Sequence, residues 1–276
     1  MVRTAAALGV VLVLGLAGLA GEELTLKGST TVLPIAQLAA EVFAELHPEL
    51  AVSVQGGGSG TGIVALIDGT CDIADVSRAM KPSEWERAVD RGVYPYHWLV
   101  ALDGIAIVVH PSNPVRQLTL DQIRDIYTGK IINWKELGGP DLRIVPVSRD
   151  TASGTYEVFG GIVLGGEAPS ARGVLYQPSN AAVAETVART PGAIGYVSLG
   201  FLNPAIKALA VGEAGTYLLP SEENVIAGTY PISRPLFMIT NGFPEGVVRK
   251  FILFVLSDEG QKLVEEAGYV PVRRIK

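Results

Sequence analysis

Three times along this chain a run that reads as a β-strand ends in a short Gly/Ser/Thr turn and passes directly into a helix. The turns are Gly28-Ser29-Thr30-Thr31, Gly57-Gly58-Ser59-Gly60-Thr61-Gly62 and Ser153-Gly154-Thr155. Parallel strands need a crossover segment between them, so a chain that repeats strand, turn and helix is committed to a mainly parallel sheet covered by helices. The first eighty residues carry the pattern most clearly. Residues 23–27 read as a strand. Ile35, Leu38, Ala39, Val42, Phe43 and Leu46 then recur at helical spacing, with Pro34 in the first turn and Pro48 beyond the end. Residues 51–55 suit a second strand, Ile63, Leu66 and Ile67 share a helical face, and residues 72–76 suit a third strand.

The pattern then repeats with less clarity. Residues 105–109 form a β-branched run, and Leu120, Ile123, Ile126 and Tyr127 suit a short helix. Residues 144–147 read as a strand, followed by an apolar segment through Leu164. Ser179 or Asn180 caps a helix expected over residues 181–189, and residues 193–198 form a further strand. Residues 230–240 look extended, and helices are expected at 247–256 and 261–267, with Asp258 near the start of the latter. Between the two α/β sections, near residues 101–104, there is no Ser/Gly tract, charge block or repeat. This favours two lobes joined by extended strands over two domains on a flexible linker.

The first twenty residues stand apart. Arg3 precedes an apolar run over residues 5–19, and Gly18-Leu19-Ala20 places small residues at the −3 and −1 positions of a cleavage site. This is a signal-peptide pattern, with an uncleaved N-terminal anchor as the alternative. No later stretch is long and apolar enough to span a bilayer.

Composition excludes several classes of function. A content of 48% hydrophobic and 18% charged residues is too apolar for a disordered chain. The net charge of −6 argues against nucleic-acid binding, which needs a basic face. One cysteine, Cys71, and three dispersed histidines, His47, His97 and His110, give neither a disulfide framework nor a metal motif, so no metal or organic cofactor is expected. Gly60-Thr61-Gly62-Ile63-Val64-Ala65 matches a dinucleotide fingerprint in letters only, because it follows the second strand rather than the first. No Walker lysine follows the glycines. Thr61 breaks a G-x-S-x-G elbow around Ser59. A hydrolase using Ser29 or Ser59 needs a general base, and none is near either serine in sequence. No catalytic residue is therefore assigned.

The three turns suit a different chemistry. Helix N-termini present unpaired N–H groups and a partial positive charge, hydroxyls add donors, and glycines allow close approach. Ordinary N-capping uses the same residue types, but three such turns on two sections point to a shared oxyanion cleft. Arg149, after a strand and four residues before Ser153, suits bidentate contact with an oxyanion; the alternative is an ion pair with Asp150. Arg78, beside Ser77 at the end of the third strand, is a second candidate.

At these residues the chain resembles the periplasmic phosphate-binding proteins of ABC-type phosphate importers, over nearly its whole length after the leader. The resemblance rests on Gly28-Ser29-Thr30-Thr31-Val32, Gly56-Gly57-Gly58-Ser59-Gly60, Asp72-Ile73-Ala74 leading to Ser77-Arg78, and Asp103-Gly104-Ile105-Ala106. The segment LDQIRDIYTGKIINW, which begins at Leu120, is the most specific; Gly138-Gly139-Pro140-Asp141, Ser148-Arg149-Asp150 and Gly192-Ala193-Ile194-Gly195-Tyr196-Val197 follow.

It implies a type II periplasmic-binding-protein fold, with two α/β lobes joined by crossover strands and a ligand cleft between them. After a signal peptide at 1–20, one lobe takes residues 21–103 plus 232–276 and the other 104–231. It further implies a secreted, extracytoplasmic monomer, not an enzyme, that delivers inorganic phosphate to membrane permease subunits. The implied binders are Ser29, Thr30, Thr31, Ser59, Ser77, Arg78, Arg149, Ser153, Gly154 and Thr155. Longer relatives place an aspartate near the position of Ser77-Arg78, where its carboxylate accepts the ligand's proton. Here Asp75, two residues before Ser77, is a candidate acceptor, and Asp150 another. A binder of sulfate, molybdate or tungstate is the nearest alternative, and a sensory or adhesive protein on the same fold is a further one.

Overall fold

The computed structural model describes residues 23–213 and 215–273; the leader pattern at 1–20 lies outside the described residues. The first section runs β1 (Glu23–Gly28), α1 (Leu33–Leu46), β2 (Ala51–Gly56), α2 (Ser59–Ile67), β3 (Ile73–Val76) and α3 (Pro82–Asp90). A fifteen-residue strand, β4 (Pro95–Val109), follows. The second section comprises β5 (Gln117–Thr119), α4 (Leu120–Thr128), β6 (Val145–Arg149), α5 (Gly154–Val163), β7 (Leu175–Gln177), α6 (Asn180–Arg189) and β8 (Ala193–Ser198). The chain then forms β9 (Lys207–Ala208), β10 (Ala210–Glu213), β11 (Thr216–Leu218) and α7 (Glu222–Ile226), and returns through β12 (Ser233–Asn241), α8 (Gly246–Val255) and α9 (Asp258–Glu266).

The strands form a mixed sheet in the order β2-β1-β3-β12-β4-β8-β6-β7, with β9 beside β4; β11, β10 and β5 make a small separate sheet. Pairing is parallel for β2-β1-β3 and for β8-β6-β7, and antiparallel through the middle strands β12 and β4. The centre is where the sheet changes hands. Residues 95–104 of β4 pair with β12, and Ile105–Val109 pair with β8. At the switch the Ile105 N–H donates to Ile232 O at 2.8 Å. Each half thus has its own parallel strands, and β4 and β12 carry the chain between them.

Helices cover both faces of both halves, which explains four apolar clusters rather than one. In the first half, α1, α8 and α9 bury Phe43, Phe251 and Val264 against Leu24 and Leu26, while α2 and α3 bury Ile63 and Ala88 against Ala74 and Val76 on the other face. In the second half, Tyr127, Trp134 and Phe159 pack with Tyr196 on one face, and Val183 and Val187 of α6 with Val147 and Val197 on the other. The buried tyrosine and tryptophan satisfy their polar tips: Tyr127 Oη donates to Val147 O at 2.9 Å and Trp134 Nε1 to Gly192 O at 3.0 Å.

The sequence expectation at 105–109 takes only the second part of β4. Residues 95–104 escape the period-two signal because Tyr96 and Leu99 are exposed while Val100 and Ala101 are buried. Pairing with β12 more than a hundred residues away makes that segment a strand, with a register shift at Leu236/Phe237. The last helix begins at Asp258, the residue expected near its start, where Ser257 caps it by accepting from Gly260 N at 3.1 Å.

Candidate functional site

Where the two halves meet, the N-terminal turns of four helices come together: Thr31 contacts Thr155 and Asn180, and Gly154 packs against Ser59. α1 and α2 come from the first half, α5 and α6 from the second. The starts of α1 and α2 have no side-chain cap, whereas Ser153 caps α5 (Tyr156 N to Ser153 Oγ, 3.2 Å) and Ser179 caps α6 (Ala182 N to Ser179 Oγ, 3.1 Å). Capping is thus what Ser153 does locally. Ser59 opens α2 without capping it: its Oγ lies 3.2 Å from Ser77 Oγ and accepts from Ser77 N at 3.0 Å. Ser29 Oγ accepts from the N–H groups of Thr31 (3.1 Å) and Val32 (3.4 Å). Neither Ser29 Oγ nor Ser59 Oγ is hydrogen-bonded to an imidazole or carboxylate among the described residues. The arrangement that would activate a serine nucleophile is not made there.

The candidate binders named from the sequence are buried: Ser29, Thr30, Thr31, Ser59, Asp75, Ser77, Arg78, Arg149, Ser153, Gly154 and Thr155; Asp150, the second candidate acceptor, is partly exposed. Several touch across the junction. Thr31 Oγ1 of the first half lies 3.1 Å from Thr155 Oγ1 of the second, and Arg149 Nη2 donates to Thr30 Oγ1 at 3.1 Å. Gly60 N donates to Ala152 O at 3.0 Å. Two glycines permit this approach. Gly58 has φ 105°, and a Cβ there would lie 2.5 Å from Ala152 O. A Cβ on Gly154 would collide with Ser59 Oγ and Ser77 Oγ.

Three arginines enter the region in three electrostatic states. Arg149 is 1% exposed. Its Nε donates to Gln177 O and its Nη2 to Pro178 O and Thr30 Oγ1, while Nη1 has no hydrogen-bond partner among the described residues. Burial lowers its pKa to about 10, so it stays cationic at neutral pH. Arg78 is surrounded by carboxylates. It holds Glu84 through two contacts of 2.7 Å, and its Nε lies 3.1 Å from Glu157 of α5, which also pairs with Lys81 at 2.9 Å. Arg234, at the start of β12, forms a buried pair with Asp103, which lies directly opposite in register. Arg78 Nε also makes no hydrogen bond but lies against Glu157, whereas Arg149 Nη1 has neither a hydrogen-bond nor an ion-pair partner among the described residues.

The two carboxyl candidates also differ. Asp75 is 1% exposed, and neither side-chain oxygen has a hydrogen-bond partner among the described residues. Burial alone raises its pKa well above the ordinary carboxylate value, which makes it a neutral acid over a wider pH range. Asp150 Oδ1 accepts from Ala152 N at 3.0 Å and is engaged in its own turn.

Sequence reasoning missed four participants: Asp103, Asn180, Ser198 and Arg234. Asn180 was visible only as a possible cap, yet its Nδ2 donates to Thr31 Oγ1 at 3.0 Å. Ser198, the last residue of β8, lies 3.0 Å from the same oxygen. As an assembly the region is a set of N–H and O–H donors with one uncompensated cation, which suits a small oxyanion with many acceptor oxygens.

Comparison with known proteins gives the same answer by a separate route. Residues 17–259 match the model of the PBP superfamily domain. The chain is 36% identical over 259 residues to the phosphate-binding protein PstS of Bacillus subtilis (strain 168), covering 93% of this chain and 83% of that protein. It is 32% identical over 266 residues to the phosphate-binding protein PstS of Pseudomonas aeruginosa, covering 89% and 81%. Among solved structures, a candidate phosphate ABC transporter substrate-binding protein with bound phosphate from Clostridium perfringens superposes with a TM-score of 0.81 at 33% identity, covering 91% of this chain and all of that one. An ABC-type phosphate transport receptor from Vibrio cholerae gives a TM-score of 0.72 at 34% identity, covering 90% and 99%. The chain belongs to the PBP superfamily and, within it, to the PstS family of phosphate-binding proteins.

Proposed function

We propose that this protein captures one inorganic phosphate between its two halves and delivers it to the permease subunits of an ABC-type importer. It acts as an extracytoplasmic monomer that its leader exports, without metal or cofactor. The observation that carries this reading is the buried, unpartnered Arg149 Nη1 among hydroxyls and helix N-termini drawn from both halves. The proposed contacts to the anion are Arg149, the backbone and hydroxyls of Ser29, Thr30 and Thr31, Ser59 and Ser77, and Ser153, Gly154 and Thr155. Arg78 serves the site by holding Glu84 and Glu157 rather than by spending its own N–H groups on phosphate.

Hydroxyls that touch at 3.1 Å leave no room for an anion between them, so binding has to part the halves and close them again. We place the hinge where β4 changes neighbour, with residues 21–103 plus 232–276 moving against 104–231. Asp75 remains the proposed acceptor for a ligand proton. Its raised pKa keeps sulfate and molybdate open as ligands, because a neutral acid does not repel a fully deprotonated anion. Calorimetric titration with phosphate, sulfate and molybdate, with and without chelator, tests the reading. The expected result is a 1:1 phosphate complex insensitive to chelator. Heat with sulfate or molybdate and none with phosphate would reassign the ligand, and loss of binding in chelator would refute a metal-free site.

A further inference from the structure

Behind the proposed anion site lies a second polar layer, and Arg234 is its centre. Its Nε donates to Asp103 Oδ2 at 2.9 Å and its Nη1 to Ser77 O at 3.1 Å. Its Nη2 lies 2.8 Å from Asp103 Oδ2 and within hydrogen-bond distance of three hydroxyl oxygens: Thr31 Oγ1 (3.2 Å), Thr155 Oγ1 (3.0 Å) and Ser198 Oγ (2.7 Å). Thr31 belongs to the first half, and Thr155 and Ser198 to the second. Asp103 is itself held by the N–H of Leu199, just past β8, at 3.0 Å. Arg234 is 4% exposed and Asp103 is wholly buried.

We infer that Arg234 is a positioning residue that orients the hydroxyls of Thr31, Thr155 and Ser198 so that they present protons, not lone pairs, to the bound anion; this rests on the phosphate reading above. The reason is the donor and acceptor inventory. A guanidinium offers N–H groups and no acceptor, and a hydroxyl has one proton and two lone pairs. Thr31 Oγ1 faces two such donors, Arg234 Nη2 and Asn180 Nδ2; the two Nη2 protons are shared among Thr31, Thr155, Ser198 and Asp103 Oδ2. A hydroxyl that accepts from either nitrogen turns its own proton away from it. Without the cation, Thr31 Oγ1 lies close enough to Thr155 Oγ1 (3.1 Å) and Ser198 Oγ (3.0 Å) for the three hydroxyls to satisfy one another, spending their protons internally. The pairing with Asp103 allows the guanidinium to sit there without adding net charge to the site.

The layer also depends on closure. Arg234 stands opposite Asp103 beside the β4 switch, and its contacts on Ser77 and Thr31 come from one half while those on Thr155 and Ser198 come from the other. The oriented set therefore exists only when the halves are together, which ties donor alignment to hinge closing.

A double-mutant cycle on phosphate affinity tests the inference. Thr155→Val is made in the wild type and in the Arg234→Gln, Asp103→Asn background, which removes the charges as a pair and leaves no lone buried ion. Calorimetry measures each protein, after thermal melting shows that it is folded. In the wild type Thr155→Val is expected to weaken phosphate binding about tenfold, and Thr155→Ser to restore it. In the neutral background Thr155→Val is expected to cost less than about twofold, because the hydroxyl is no longer held as a donor. Should that background not fold, Arg234→Lys replaces it, since a single ammonium cannot reach Ser77 O, Asp103 and three hydroxyls at once. The same loss from Thr155→Val in both backgrounds would overturn the positioning role while leaving the phosphate reading intact. Absence of phosphate binding by the wild type would instead refute the phosphate reading.

Discussion

The ends of β3 and β6 are built alike and behave differently. Each strand finishes in a serine and an arginine, Ser77-Arg78 after β3 and Ser148-Arg149 at the end of β6, and both arginines are buried at the junction of the halves. Yet Arg78 is bound to Glu84 and lies against Glu157, whereas among the described residues Arg149 holds only carbonyls and a threonine hydroxyl and Nη1 has no partner. The local supply of acid makes the difference. Glu84 opens α3 six residues after Arg78 and is fixed by Lys81 N at 2.8 Å, while Asp150 beside Arg149 is turned away into its own loop. A strand-end arginine becomes an anion contact only where neighbouring carboxylates leave it unspent.

The comparison breaks most readily on affinity. Arg149→Ala removes a buried charge-assisted contact worth about 1.5–3 kcal/mol, so phosphate affinity should fall roughly ten- to a hundredfold. Exposed Arg116→Ala should leave it unchanged. Arg78→Ala should have a smaller effect, about fivefold or less, because it acts through the contact between Arg78 and Glu157 that helps hold the halves together. Both arginines are buried, so salt should change neither effect much, and the size of the loss separates them. Equal losses from Arg78→Ala and Arg149→Ala would mean that both arginines touch the anion.

A finer prediction concerns the carboxyl at β3. Asp75 has a raised pKa in the folded protein, so the fold binds its proton more tightly than the unfolded chain does. Below the ordinary value of 3.8 both states are protonated and Asp75 has no effect. Stability should then fall as pH rises from there to the raised folded value, and be flat beyond it. Asp75→Asn should remove this component, which melting curves between mildly acidic and neutral pH would show. Asp103 has a raised pKa of the same sign, so a residual slope is expected in the variant. An unchanged slope in Asp75→Asn would mean that the fold does not raise the pKa of Asp75.

What the sequence disclosed follows from how far each signal reaches. Period and turn chemistry are local, so β1-α1-β2-α2-β3 and the three donor turns could be read directly. The first part of β4 could not, since its strand character comes from β12. Arg234 carried no local signal, because its partner Asp103 is 131 positions away and its hydroxyl partners lie on β8 and at the starts of α1 and α5. Glu84 stands only six residues after Arg78, in the first turn of α3. That α3 would turn it back onto Arg78 depends on the packing of that helix, which spacing does not specify.

A crystal structure grown with phosphate tests the central claim most directly. The expected electron density is one tetrahedral anion between the halves, with Arg149 Nη1 and hydroxyls from both the Thr30–Thr31 and Ser153–Thr155 turns on its oxygens, and Arg78 still on Glu84. An anion held by one half alone, or seated on Arg78 with Arg149 Nη1 unused, would contradict it.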